Sequence, residues 1–368
     1  MAYILDIATA VPDHAIEENQ LVDFYAKALE SAGEKAIHKK LKLFNEKTKI
    51  QKRYSCIPDF GLSNFELFTS GDFKEGIEKR TEIFKKEIMP LATKAIDKLL
   101  LKTQVKPKEI THLITVSCTG IFAPGFEFMV SEHYGLQSTE KLGLNFLGCY
   151  AAIKALKHAY YIANADPKAC VLIISAELCS LHFMPSVLDE DIIANLLFAD
   201  GAAATFVCGK NNKHLKGKTS LKIDEIGSAY IPNTLDLMTW NITSVAFKMY
   251  LNKNIPNAIK ENIYPVVTDF LDNSKPDYWA IHPGGIRILE AAKESLHLTT
   301  KNVEDSLSIL RDYGNMSSPT ILFVLERIFE KIKSKETLDA TKIFSCAFGP
   351  GLTIEMLRLS ASNSYPTN

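Results

Sequence analysis

His112-Leu-Ile-Thr-Val-Ser-Cys118, Gly143-Leu-Asn-Phe-Leu-Gly148-Cys149-Tyr150-Ala-Ala-Ile-Lys-Ala-Leu-Lys-His-Ala-Tyr160 and Cys170-Val-Leu-Ile-Ile-Ser175 follow one another in the chain, and their order decides the fold. The first and third runs are short, continuously apolar and rich in β-branched residues, the pattern of strands covered on both faces. Between them, residues 149–164 carry an alanine-rich helical pattern. Ala203-Ala-Thr-Phe-Val207 reads as another strand. Strands alternating with helices predict an α/β layered fold.

On the amino-terminal side, Met1 to Pro12 opens with an apolar strand, and no positive region precedes that run as it would in a signal peptide. The rest of the first hundred residues reads as mainly helical, with a Lys/Glu-rich helix over 74–104. Residues 209–219 are polar, basic and bounded by glycine, the best place for an exposed loop or boundary. We therefore expect one half over 1–215 and a second over 216–368. In the second half, Tyr278-Trp-Ala-Ile-His282 reads as a strand, a helix begins near Ile286, and another runs from about Ser317 to Lys333. Thr341–Cys346 and Leu352–Leu357 read as a hairpin around Phe348-Gly-Pro-Gly351. The halves share no evident sequence identity.

The 368 residues exceed the roughly 250–300 at which one hydrophobic core stops growing, so two core-bearing units are expected. Hydrophobic residues make up 46% and charged residues 23%, with a net charge of −1. That balance argues against nucleic acid as a partner, and no apolar run reaches the roughly 18 residues of a membrane span. Seven cysteines, at 56, 118, 149, 170, 179, 208 and 346, form no CxxC pair and no short metal-ligand spacing. They fit a reduced, cytoplasmic setting, and no metal site is expected.

Three residues could carry chemistry. Cys149 directly follows a glycine at the start of a helical run, where free N–H groups and the positive end of the dipole favour thiolate. Taken alone it reads first as a buried core thiol, and Cys118, Cys170, Cys179, Cys208 and Cys346 do so more strongly. His282 ends an apolar strand just before Pro283-Gly284-Gly285, and can be either structural or catalytic. Asn315, in Tyr313-Gly-Asn-Met-Ser-Ser318 ahead of a helix, also has the character of an N-cap.

The words around these residues carry more. Gly148-Cys149-Tyr150-Ala-Ala, Phe198-Ala-Asp-Gly-Ala-Ala-Ala204, Trp279-Ala-Ile-His282-Pro-Gly-Gly285, Tyr313-Gly-Asn-Met-Ser-Ser318 and Ala347-Phe-Gly-Pro-Gly-Leu-Thr-Ile-Glu355, in this order, resemble the motifs of type III polyketide synthases, the chalcone synthase-like branch of the thiolase superfamily. The resemblance implies a thiolase-like αβαβα fold of two similar halves, a homodimer, and an active site where the halves meet. It casts Cys149 as the nucleophile that accepts an acyl group from a coenzyme A starter. His282 would hold the thiolate in an ion pair, and with Asn315 would hydrogen-bond the malonyl-CoA thioester carbonyl as decarboxylation makes an enolate. Coenzyme A thioesters are then the substrates, with no metal or redox cofactor.

The family also places a gating phenylalanine at Phe198, whose other reading is core packing. A second gating phenylalanine is replaced by Met249, Trp240 stands where the plant enzyme has a pocket glycine, and His182 where it has a threonine. Cys118 joins these as a pocket residue. Such departures favour fatty or small acyl starters over coumaroyl. Within the basic run His38 to Tyr54, Lys40 and Lys47 match expected coenzyme A cations and Leu43 replaces a third, with Lys52 or Arg53 as further candidates. A solvated helix face explains the same charges.

Two other readings remain at this point. A ketoacyl-carrier-protein synthase of the same superfamily also uses Cys, His and Asn. The order Cys149, His282, Asn315 is also that of papain-like hydrolases, although the Cys-Gly-Ser-Cys-Trp word is missing.

Overall fold

The computed structural model describes residues 1–34, 37–71, 73–334 and 341–362. The chain begins with β1 (Ala2–Ala10), β2 (His14–Glu17), α1 (Glu18–Ser31), α2 (His38–Thr48) and β3 (Lys52–Ser55). There follow α3 (Ile77–Thr103), β4 (His112–Ser117), α4 (Phe126–Tyr134), β5 (Glu140–Asn145), α5 (Ala151–Ala165), β6 (Cys170–Leu178), α6 (Asp189–Leu197) and β7 (Asp200–Gly209). Then come β8 (Ser220–Tyr230), β9 (Met238–Ile242), β10 (Phe247–Leu251), α7 (Ile255–Leu271), β11 (Tyr278–Ile281), α8 (Ile286–Ser295) and α9 (Glu304–Tyr313). Helix α10 (Thr320–Lys333) and the hairpin β12 (Lys342–Gly349) and β13 (Thr353–Ser362) complete the fold.

Among the described residues, nine strands form one mixed sheet in the order β11-β12-β13-β8-β1-β7-β6-β4-β5. Its two parts repeat one pairing scheme. From the middle outward, β1 is antiparallel to β7, β7 antiparallel to β6, and β6 parallel to β4. In the same sense β8 is antiparallel to β13, β13 antiparallel to β12, and β12 parallel to β11. The two parts join through a short antiparallel pairing of Ala2–Ile4 with Leu221–Ile223. Two similar halves are thus visible in the hydrogen bonding although the sequences do not match.

Side-chain alternation along the strands separates three cores. On β1, Tyr3, Leu5 and Ala8 face a cluster covered by α3, whose Phe84, Ile88, Leu91, Ala95 and Leu99 recur at helical spacing. Ala2, Ile4 and Ile7 point the other way, toward α5 and α10. On β12, Ile343 and Ala347 join that middle core, while Phe344, Cys346 and Phe348 face a third core covered by α7 and α8. Helices and sheet parts therefore stack α/β/α/β/α. In the middle layer, the alanines at 151, 152, 155, 159 and 163 let α5 lie close to the sheet and to α10. Each large apolar side chain buried there contributes about 1.5–3 kcal/mol.

Most sequence expectations match these elements, including the opening strand, the 341–357 hairpin and the loop between β7 and β8. The helix expected at 149 starts two residues later, so Cys149 precedes it. The β2–β3 pairing, whose strands are separated by α1 and α2, and the β9–β10 hairpin were not expected. Both are short two-stranded pieces outside the main sheet, with too little alternation to stand out. No helix among the described residues is long and apolar enough to cross a membrane.

Candidate active site

Three chain segments reach the junction of the halves. Strand β5 ends at Asn145, and a tight connection carries Gly148 and Cys149 into α5. Gly148 has φ +85°, and a Cβ there would collide with Pro350 of the β12–β13 turn, so both the backbone and the close approach require glycine. His282 follows β11 directly, and its N–H continues the ladder to the Cys346 carbonyl at 2.8 Å. Asn315 precedes α10 in the second half, as Cys149 precedes α5 in the first.

Cys149, His282 and Asn315 line one recess of about 300 Å³, with Met238, Leu251, Ile288 and Phe348 as apolar walls. All three are buried. The Asn315 amide has a fixed orientation: Oδ1 accepts from Ser317 N–H at 2.8 Å and Thr320 Oγ1 at 3.4 Å, while Nδ2 donates to Gly284 O at 3.3 Å. It does not cap α10, since Pro319 occupies the N-cap position. Both ring nitrogens of His282 are buried without a hydrogen-bond partner. That is costly in a folded core and marks a group kept for chemistry.

Electrostatically, burial dominates. It pushes the Cys149 thiol up to about 11, although Ser317, whose Oγ lies 3.6 Å from Sγ, and Asn315 pull the other way. Burial likewise pushes His282 down to about 3. Burial thus works against the charged form of both groups. Desolvation opposes the thiolate that the helix start favours.

Close to Cys149 lies a polar network that no local sequence pattern signals. Glu177, fully buried at the end of β6, accepts from Cys118 N–H (2.8 Å), Thr119 Oγ1 (2.7 Å) and Ser318 Oγ (2.5 Å). Burial pushes its carboxyl up. Ser317 and Ser318 were legible as part of the Asn-Met-Ser-Ser word, whereas Glu177 sits in an apolar strand with no local sign of a role.

Behind the small recess is a larger one, with about 650 Å³ of free space including its opening. His182 and Trp240 line it, with Ile16, Leu21, Phe60 and Phe247. Phe198 and Met249 line both recesses and so form the wall between them. Cys118 lines neither: its Sγ accepts from Gly148 N–H at 2.9 Å, supporting the nucleophile turn from beneath.

Of the basic segment, Arg53 and Tyr54 line the larger recess, whereas Lys40, Lys47 and Lys52 line neither. Lys40 is 2.5 Å from Asp189 and donates to Val187 O at 3.1 Å, and Lys40 and Lys47 flank the Phe44 ring. Lys52 lies over Tyr54, 3.8 Å from Glu17. Arg53 is not a surface cation. It is buried, with its guanidinium donating to Leu196 O at 2.5 Å and Asn45 Oδ1 at 3.4 Å, and burial lowers it to about 9.

Comparison with known proteins agrees with this arrangement. The family model for chalcone and stilbene synthases, N-terminal domain, matches residues 1–211, and that for the C-terminal domain matches 223–362. The alpha-pyrone synthesis polyketide synthase-like Pks18 of Mycobacterium tuberculosis is 28% identical over 361 residues, covering 96% of this chain and 90% of that one. Type III polyketide synthase A of Arabidopsis thaliana is 28% identical over 374 residues, covering 99% and 93%. Among solved structures, PKS-I of the brown alga Ectocarpus siliculosus superposes with a TM-score of 0.90 at 27% identity, covering 98% of each chain. The C-terminal type III polyketide synthase domain of Steely1 from Dictyostelium gives 0.88 at 28%, covering 99% of each. With both domain models matched in order along a thiolase-like fold, this chain belongs to the chalcone and stilbene synthase family and is a type III polyketide synthase.

Proposed function

We propose that Cys149 carries the growing acyl chain, and that His282 and Asn315 catalyse decarboxylation of malonyl-CoA beside it. The observation that carries this reading is the pairing of two unpartnered imidazole nitrogens with a buried thiol in one recess. In loading, neutral His282 takes the thiol proton as sulfur attacks the starter thioester, then returns it to the departing coenzyme A thiolate. In extension, the malonyl C–C bond breaks, carbon dioxide leaves, and its electron pair moves onto the thioester as an enolate. An N–H of His282 and Nδ2 of Asn315 are the donors for that oxygen. The enolate carbon then attacks the Cys149 thioester carbonyl, forming the new C–C bond as the C–S bond breaks. This sequence uses coenzyme A thioesters alone and calls for no metal or redox cofactor. The buried Cys149 and the absence of a papain-type word favour it over hydrolysis.

The starter class follows from the larger recess. Its walls are mainly aliphatic and aromatic, and Met249 is an unbranched, adaptable side chain. This supports an aliphatic acyl starter and a pyrone- or resorcinol-type product. Lys40 and Lys47 would meet the coenzyme A phosphates by exchanging their present partners. A homodimer is supported by edge strand β5, where Leu142, and Phe128 on the adjoining α4, are exposed. Seven free buried thiols support a cytoplasmic location.

The test is incubation with malonyl-CoA and a panel of aliphatic and aromatic acyl-CoAs, without carrier protein, followed by intact-protein and product mass spectrometry. An acyl adduct on Cys149 and extended products from aliphatic starters are expected. Efficient chalcone formation would refute the starter assignment, and an absolute carrier requirement would refute the substrate assignment.

A further inference from the structure

Strands β9 and β10 form a two-stranded sheet apart from the main one. Such a hairpin has little stability of its own, so its position depends on what ties it down. Its tip is tied to the start of α3 through Ile77 N–H and Ser244 O at 3.1 Å. Its body is tied at two points. The Trp240 indole N–H donates to the Cys118 carbonyl at 2.8 Å. The Phe247 N–H donates to His182 Nδ1 at 3.1 Å, and the opposite ring nitrogen, Nε2, donates to the Thr119 carbonyl at 2.8 Å. The imidazole is also stacked on the Phe247 ring, with centroids 4.4 Å apart and planes at 9°.

Because Nδ1 accepts, Nε2 must carry the proton, and only the neutral ring can span both partners. Burial, which pushes His182 down to about 3, keeps it neutral at ordinary pH. Both ties end on Cys118 and Thr119, and the Cys118 sulfur supports Gly148 next to the nucleophile. Met249 lies directly across from Trp240 in the hairpin register and two residues beyond Phe247, on the same face as Phe247.

We propose that His182 and Trp240 are positioning residues that lock the β9–β10 hairpin to the nucleophile segment and thereby fix Met249 in the wall between the recesses, setting the length of chain the enzyme releases. This rests on the two-recess reading of the condensing site. His182→Phe keeps a flat ring of similar volume but loses both hydrogen bonds, whereas His182→Asn keeps an acceptor for Phe247.

Two readouts test it: hydrogen exchange at the Phe247 amide, which needs no turnover, and the ratio of products differing by one extension. For His182→Phe, exchange should accelerate and the ratio should shift by about three- to tenfold, the factor of one ordinary hydrogen bond, since the two bonds through the ring act in series as a single tie. His182→Asn should stay nearer the parent in both. If His182→Phe does not fold, Trp240→Phe, which loses the indole donor and part of the ring, should give the same ratio shift together with faster exchange at the Phe247 amide. An unchanged ratio, or a shifted ratio with the amide still protected, would overturn the lock, the latter pointing to recess volume alone. An inactive parent enzyme would instead strike at the function itself, and the amide readout would still decide the lock.

Discussion

Asn315 is paired through its main chain with Phe198: its N–H donates to the Leu197 carbonyl at 3.1 Å, and its own carbonyl accepts from Ala199 N–H at 2.9 Å. A donor proposed for decarboxylation in one half is thereby bound by backbone to the wall residue of the other. Since the main chain makes this link, Phe198→Leu should leave Asn315 in place, cost at most about 1.5 kcal/mol of stability, and widen the passage between recesses. Relative kcat/KM for bulky over small acyl-CoA starters should rise about tenfold in competition assays. An unchanged preference would remove Phe198 from the wall.

The roles proposed for Cys149, His282 and Asn315 are separable. Cys149→Ala should lose the acyl adduct and all condensation while still releasing carbon dioxide from malonyl-CoA, because the donors for the enolate remain. Asn315→Ala should lower decarboxylation by about 10²–10³-fold, the usual loss for one oxyanion donor. Radiolabelled carbon dioxide release distinguishes the two. Equal loss in both variants would mean that the thiol takes part in decarboxylation.

Burial of the thiol and the imidazole fixes the sign of a pH effect. With Cys149 pushed up to about 11 and His282 down to about 3, the thiolate fraction at neutral pH is small and grows with pH. Carbamidomethylation of Cys149 by iodoacetamide should therefore accelerate toward tenfold per pH unit between about pH 7 and 9. A rate that is flat across this range would reveal a preformed ion pair.

Helix α5 is held to the second half by Glu355 of β13. Its carboxylate is fully buried, 2.7 Å from both Lys154 and Lys157, and accepts from Ser228 Oγ at 2.8 Å. Lys157 also reaches the Gly227 carbonyl at 3.0 Å. Glu355→Ala leaves the nearly buried Lys157 uncompensated, and should cost about 3–5 kcal/mol by urea denaturation. A loss under about 1 kcal/mol would mean the lysines relax to solvent.

Much of this protein could be read along the chain. The opening strand, β4, β6, β11, the closing hairpin and most helices announced themselves because their apolar periods are local. The words around Cys149, His282 and Asn315 pointed to the reactive trio. Arg53 was a further coenzyme A candidate because neighbouring lysines set the expectation, whereas in the fold Leu196 and Asn45, distant or unremarkable in sequence, take up its buried guanidinium. Glu177 was illegible for the same reason: its partners Cys118, Thr119 and Ser318 come from two other segments.

The sequence by itself determined the α/β architecture and the family, and it singled out the side chains proposed as reactive, since these depend on patterns spanning a few residues. Tertiary structure alone decided that Phe198 and Met249 divide the cavity in two, that His182 bridges Thr119 and Phe247, and that burial opposes the Cys149 thiolate. Each of those depends on burial and on hydrogen-bond partners brought together across the chain, and both are properties of the packed molecule that no local pattern encodes.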